Sequence, residues 1–203
     1  MEKPKVTSGL TVSLDGFAAG HNQSFERPFG DRFDADLLDR WMFSEPEKHQ
    51  HKKEIAAILD AGAFIMGSNM FGPKDRRSTS AWKGWWGNNP PYHAPVFVLT
   101  HNERPPITME GGTVFHFVTD GIEAALNQAK ETAGGRNVKI MGGANTVNQY
   151  LAAGLIDELW LHLVPVTIGA GSRLFEGVPN LKLEPVEVSG TGVVTHIRYN
   201  VVK

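Results

Sequence analysis

The chain contains no cysteine. Disulfides, thiolate catalysis and cysteine-ligated metal are therefore excluded, and nothing speaks for an oxidising compartment. A charge excess is lacking too. Twenty Lys and Arg against 22 Asp and Glu leave a formal net charge of -2 with no basic run, which offers no electrostatic footprint for nucleic acid or an anionic membrane. No apolar run approaches the length of a membrane span, and the opening MEKPKVTSGL holds no signal-peptide core. We expect a cytoplasmic protein with neither a nucleic-acid nor a membrane partner. Hydrophobic content of 41% and charged content of 21% over 203 residues are ordinary for one sizeable domain, 1–203, that buries a core without staples.

What is present centres on Lys139 to Leu151, KIMGGANTVNQYL. Val138 to Met141 reads as a short apolar strand. Two glycines follow, then a helix with Val147, Tyr150 and Leu151 at helical spacing. A strand, a Gly-Gly turn and a helix N-terminus present free amide N–H groups at the positive end of a helix dipole, which suits phosphate or pyrophosphate. Asn145 and Thr146 add side-chain donors. The pattern is neither G-x-G-x-x-G nor a P-loop. On these residues alone, a tight turn without ligand is the alternative.

Strands are predicted at Lys5 to Leu14, Ala63 to Met66, Val96 to Thr100, Val114 to Val118, Asp157 to Ile168, Leu183 to Ser189 and His196 to Val202. Helices are predicted at Asp34 to Phe43, Glu47 to Asp60 and Ile122 to Ala133, besides the one after Gly143. Alternating strands and helices with a terminal hairpin imply an α/β domain with a mixed sheet covered by helices. Gly67 to Pro95 lacks periodicity, and loops this long are usually functional or disordered. Its three tryptophans, Trp82, Trp85 and Trp86, argue against disorder.

Four landmarks carry a resemblance that spans nearly the whole chain: SLDG (Ser13 to Gly16), FIMGSNMFG (Phe64 to Gly72), VFVLT (Val96 to Thr100) and IMGGANTVNQYLAAGLIDELWLHLVPVTIGAG (Ile140 to Gly171). In this order they resemble the dihydrofolate reductase fold, and more closely the reductase domain of riboflavin biosynthesis, the RibD C-terminal type, in its uncharacterised bacterial branch. The resemblance implies a three-layer α/β fold with a mostly parallel central sheet, a C-terminal antiparallel hairpin and helices on both faces. It implies NADPH as cofactor. Thr11 and Ala18 would cover the nicotinamide, and Gly67, Ser68, Asn69 and Met70 would meet adenosine-side phosphate. Thr100 and His101 would lie beside the adenosine, while Met141, Gly142, Gly143, Ala144, Asn145 and Thr146 would hold the pyrophosphate. The family often has arginine directly after Met-Gly for the 2'-phosphate. This chain has Ser68, so NADH stays open, with His101, Arg104, Arg76 and Arg77 as substitutes.

Hydride transfer asks little of side chains beyond positioning, dryness and a proton donor, since the cofactor carries the chemistry. Asp36 and Asp39 are the helix carboxylates offered as donor, against a solvated helix face. His162, sharing a strand face with Trp160 and Val164, is read either as a donor or acid near neutral pH or as a hydrogen-bonded core histidine. Asp15, Trp41, Trp85 and Trp86 are candidate substrate contacts. Asp15 is otherwise a turn-former, and the tryptophans otherwise a loop anchor or dimer contact. His49 and His51 are two apart, so on a helix they diverge, and no metal site is expected. The expectation is an NAD(P)H-dependent reductase acting on a C=N or C=O carbon of a small pterin-like or pyrimidine-like substrate, assembled as a homodimer. A binding protein without turnover, or a carbohydrate-binding module, is the alternative.

Overall fold

The computed structural model describes residues 3–31 and 34–203. In chain order the elements are β1 (Val6–Ser13), β2 (Phe17–Ala19), α1 (Asp36–Phe43), α2 (Glu47–Gln50), α3 (Lys52–Leu59), β3 (Ala63–Gly67), α4 (Ser68–Phe71), β4 (Pro95–Leu99), β5 (Ile107–Thr108), β6 (Val114–Val118), α5 (Gly121–Thr132), β7 (Val138–Gly142), α6 (Ala144–Ala152), β8 (Glu158–Val164), β9 (Ser172–Arg173), β10 (Lys182–Gly190) and β11 (Thr195–Val202). Nine strands make one sheet in the order β10-β11-β8-β1-β7-β3-β4-β6-β5. The run from β8 to β6 is parallel, while β11, β10 and β5 add antiparallel. The α/β expectation and the terminal hairpin are both met.

Strand alternation sorts the sheet into two faces. Val6, Leu10, Val12, Ile65, Phe97, Ile140 and Leu159 point to one side, where the apolar stripes of α5 and α6 close the largest core. The other side holds two separate clusters. Phe64, Met66, Val96, Val98 and Phe115 pack with Phe71 of α4, and Leu38 and Trp41 of α1 pack with Val164. Between them, β1 and β7 present Thr7, Gly9, Thr11 and Lys139 in place of large apolar side chains. A polar strip, covered by Ala57 of α3 at Lys139 and by Trp41 at Thr11, therefore separates two dry patches on the same sheet face.

Two expected elements differ. The single helix Glu47 to Asp60 is broken at His51, whose φ of -117° and ψ of 24° end α2 and begin α3. No proline or glycine causes this. The break accompanies a buried hydrogen bond between the His51 and His196 rings, so tertiary contact overrides helix propensity. The strand expected to reach Ile168 stops at Val164. Pro165 has no N–H, and the amides of Ile168 and Gly169 donate to the Asp15 carboxylate instead of a ladder.

Candidate active site

β7 and β3 end side by side, with Met66 opposite Gly142. The crevice outside the carboxyl ends of such parallel strands is where α/β sheets take ligands. Gly142 has φ 125°, open to glycine and hostile to other residues. Gly67 is needed for a different reason: a Cβ there would lie 2.3 Å from Thr146 Oγ1, because the first turn of α6 is seated against the end of β3. Gly143 differs from both. Its backbone is extended (φ -71°, ψ -170°), and among the described residues nothing beyond its chain neighbours lies within 4 Å of where a Cβ would be. No side chain caps α6, so the amides of its first turn face this open side with the dipole behind them. Among the described residues, no side chain occupies the space beside Gly143.

The other expected cofactor contacts fall around it unequally. Met141 and Ala144 are core residues with buried side chains. Met70 packs near Gly142, its Sδ 3.7 Å from the position of a Cβ there. Asn145 is exposed and its Oδ1 accepts from Gln149 at 2.8 Å. Ser68 and Thr100 line a small cleft of about 30 Å³ together with Arg77 and Arg104. His101 is exposed beside that cleft. The arginines expected as substitutes divide by their contacts. Arg104 is committed to structure: its guanidinium donates to the carbonyls of Arg77 (3.1 Å), Ser80 (3.3 Å) and Trp82 (2.5 Å). Arg76 lies over the Phe25 ring at 3.7 Å. Arg77 is half-buried at the cleft and bonded through Nη1 to Asn69 Oδ1, so it holds a positioned cation beside Ser68.

A larger cleft of about 390 Å³ opens at the opposite, amino end of β1, β7 and β8. Glu158 there pairs with Lys5 at 3.7 Å and Arg198 at 3.8 Å. Its position at the other end of the strands separates it from the Gly142–Gly143 corner. Lys139 on its wall is buried, donates to the Ala57 carbonyl at 2.6 Å and is pushed down to about 8 by burial.

On the β1 side, Ala18 packs against the main core, and Thr11 Oγ1 accepts the Trp41 indole N–H at 3.3 Å. Three expectations are corrected here. Trp41 is buried and roofs His162, His196 and His51 at ring distances of 4.7, 4.9 and 5.8 Å, so it supports the interior and forms no substrate wall. Asp15 is a loop tie. Burial would lift its carboxyl, but the Ser13 hydroxyl and the Ile168 and Gly169 amides together hold it below the usual range. His162 is the hydrogen-bonded core histidine: burial, then His196, Lys139 and His51, push it down to about 3. It is neutral at pH 7 and cannot serve as an acid there.

The two helix carboxyls part company. Asp36 is exposed. Asp39 is half-buried, and burial together with the adjacent Asp36 charge raises it to about 6. Among the described residues it is the carboxyl held upward, as a proton donor near neutral pH requires.

The tryptophan loop is an anchored aromatic cluster. Trp82 donates to the Phe71 carbonyl at 3.0 Å, and Trp86 lies 5.2 Å from Tyr92 and 5.9 Å from Phe115. Trp85 stacks on Phe25 at 5.8 Å and 11°. Phe25 sits in the loop after β2, so this pair links the two long loops that leave the carboxyl ends of β1 and β3.

A further cluster escaped the sequence reading. His49 pairs with Glu45 at the surface at 2.6 Å, while His51 turns inward. His162 Nδ1 lies 2.7 Å from His196 Nδ1, and His196 Nε2 lies 2.9 Å from His51 Nδ1. Burial drops His196 to about 4, with Glu54 opposing and His51 assisting. The signals were His51 and Glu54 three apart on one helix turn and the alternation of the last strand. Nothing local joins residue 51 to residue 196.

The sequence profile of the RibD C-terminal domain family matches residues 4–196. The uncharacterized protein YyaP of Bacillus subtilis (strain 168) is 33% identical over 205 residues, covering 96% of this chain and 94% of that protein. Among solved structures, a Shewanella sp. PV-4 protein provisionally named for riboflavin biosynthesis superposes with a TM-score of 0.69 at 20% identity, covering 98% of this chain and 99% of that one. The riboflavin biosynthesis reductase Rib7 of Saccharomyces cerevisiae gives 0.56 at 14%, covering 99% and 90%. These likenesses establish the dihydrofolate reductase-like fold expected from the sequence.

Proposed function

Because the chain belongs to the RibD C-terminal domain family, we propose that it is an NADPH-dependent reductase of a small pyrimidine-like or pterin-like heterocycle. The observation that carries this reading is the open side of Gly143 at the head of α6, a cradle that a Cβ would fill and that no atom of the described residues fills. A diphosphate there meets unpaired amides and the positive helix end. The bound nicotinamide supplies the hydride. The remaining tasks fall to this chain. Ser68, Thr100 and Arg77 line the adenosine side, and Arg77 takes over the 2'-phosphate contact that the residue after Met-Gly does not make. Asp39 holds a proton at its carboxyl up to about pH 6 and passes it to the nitrogen or oxygen beside the reduced carbon. The reductase activities named for yeast Rib7 and for the Thermotoga maritima deaminase/5-amino-6-(5-phosphoribosylamino)uracil reductase, which shares a TM-score of 0.58 at 16% identity and is matched over 57% of its length, support the substrate class.

The test is calorimetric titration with NADPH and NADH of the wild type and Gly143→Val. The variant keeps its fold and loses at least tenfold in NADPH affinity. Equal affinity in both proteins would sink the reading.

A further inference from the structure

Apart from the Gly142–Gly143 corner, three buried side chains from two distant parts of the chain converge, with the two histidines against Trp41. His51 begins α3, Glu54 follows one turn later on the same helix face, and His196 projects from β11. One ligand-competent atom of each lies within 4.8 Å of the others. We propose that His51 Nδ1, His196 Nε2 and a Glu54 carboxylate oxygen form a binding site for a divalent cation of the zinc class. The site does not depend on the hydride-transfer reading.

The donor set comes first. Two imidazole nitrogens and one carboxylate oxygen are borderline ligands that suit Zn²⁺ or Co²⁺, with the fourth tetrahedral position left to water. Spacing comes next. The two nitrogens face each other 2.9 Å apart across a hydrogen bond, and at a Zn–N distance of about 2.0–2.1 Å tetrahedral neighbours sit roughly 3.3 Å apart. An opening of a few tenths of an ångström admits the ion once the proton between the two nitrogens has shifted to His51 Nε2.

The outer contacts are already those of metal ligands. His51 Nε2 lies 3.3 Å from Thr191 Oγ1, His196 Nδ1 lies 2.7 Å from His162 Nδ1, and Glu54 Oε1 accepts from Ser189 Oγ at 2.9 Å. Ligating histidines characteristically have their second nitrogen fixed in this way. Protons balance without release. His51 carries its proton on Nε2 toward Thr191, His196 carries its on Nδ1 toward His162, and both lone pairs turn to the ion. Each imidazole stays neutral. Glu54 is buried with Ser189 as its hydrogen-bond donor among the described residues, and a cation answers its charge. The bound ion would tie α3 to the β10–β11 hairpin, since Ser189, Thr191 and His196 all belong to that hairpin or its turn.

Titration of the folded chain with Co²⁺, followed by calorimetry and by visible d–d absorption, tests this. We expect one equivalent per chain with tetrahedral bands, competition by Zn²⁺, and a higher melting temperature in Zn²⁺. His196→Gln and Glu54→Gln each weaken binding at least tenfold, whereas His49→Ala leaves it unchanged. If His196→Gln fails to fold, Glu54→Gln carries the test, because it keeps the shape and a partner for Ser189. Absence of bands in the folded wild type, or bands undiminished in Glu54→Gln, would overturn the site.

Discussion

Asp39→Asn gives the most demanding check on the reading of α1. The wild-type carboxyl is raised from 3.8 to about 6 by burial and by Asp36, a gap of roughly 2 pH units, or about 3 kcal/mol at 1.36 kcal/mol per unit. Asp39 is only half-buried, so solvent screening reduces this to about 1 kcal/mol. Its folded value lies above its unfolded one. The native state therefore binds the proton more tightly, and the contribution is fully present below about pH 3.8 and lost as pH rises through about 6. Asparagine cannot ionise. Urea unfolding should then give equal stabilities for the two proteins near pH 4 and an advantage of about 1 kcal/mol for Asp39→Asn at pH 8. Turnover should move oppositely. Wild-type kcat/KM should fall above an apparent pKa near 6, and the variant should lose about 10²-fold or more along with that limb. Coincident stabilities at pH 8 would refute the raised carboxyl, and a variant of wild-type activity would refute its use as donor.

Other outcomes follow from the same geometry. Gly67→Ala drives a Cβ to 2.3 Å from Thr146 Oγ1 and should cost about 1–3 kcal/mol by overpacking, most of it recovered in the Gly67→Ala, Thr146→Ala double variant when both are unfolded in urea. Gly143→Val meets no protein atom within 4 Å, so its melting temperature should match the wild type while NADPH binding weakens. Arg77→Ala should raise KM for NADPH by roughly 10–100-fold, the worth of a charged hydrogen bond of about 1.5–3 kcal/mol, and leave KM for NADH unchanged. Lys139→Met should stabilise the protein by about 2–3 kcal/mol at pH 7, since burial holds the folded value near 8 against 10.5. That advantage should shrink between about pH 8 and 10.5, where the unfolded chain still binds the proton and the folded one has released it.

Much of this protein is local, and the sequence by itself determined it. Apolar and β-branched runs placed β1, β3, β4, β6 and β7 within a residue or two, because strands buried in a parallel sheet are nearly continuously apolar. The Gly-Gly turn announced its own corner, since a strand, two glycines and a helix start are contiguous in the chain. Ordered landmarks then identified the family. Tertiary structure alone decided what depends on residues far apart. It set Asp39 apart from Asp36 by burial and turned Asp15 into a tie for residues 168–169. It also neutralised His162 and broke a helix at His51 to face a histidine 145 residues away. Protonation, desolvation and ligand geometry are properties of an environment, and the environment of each of these groups is built by segments that no periodicity or spacing connects.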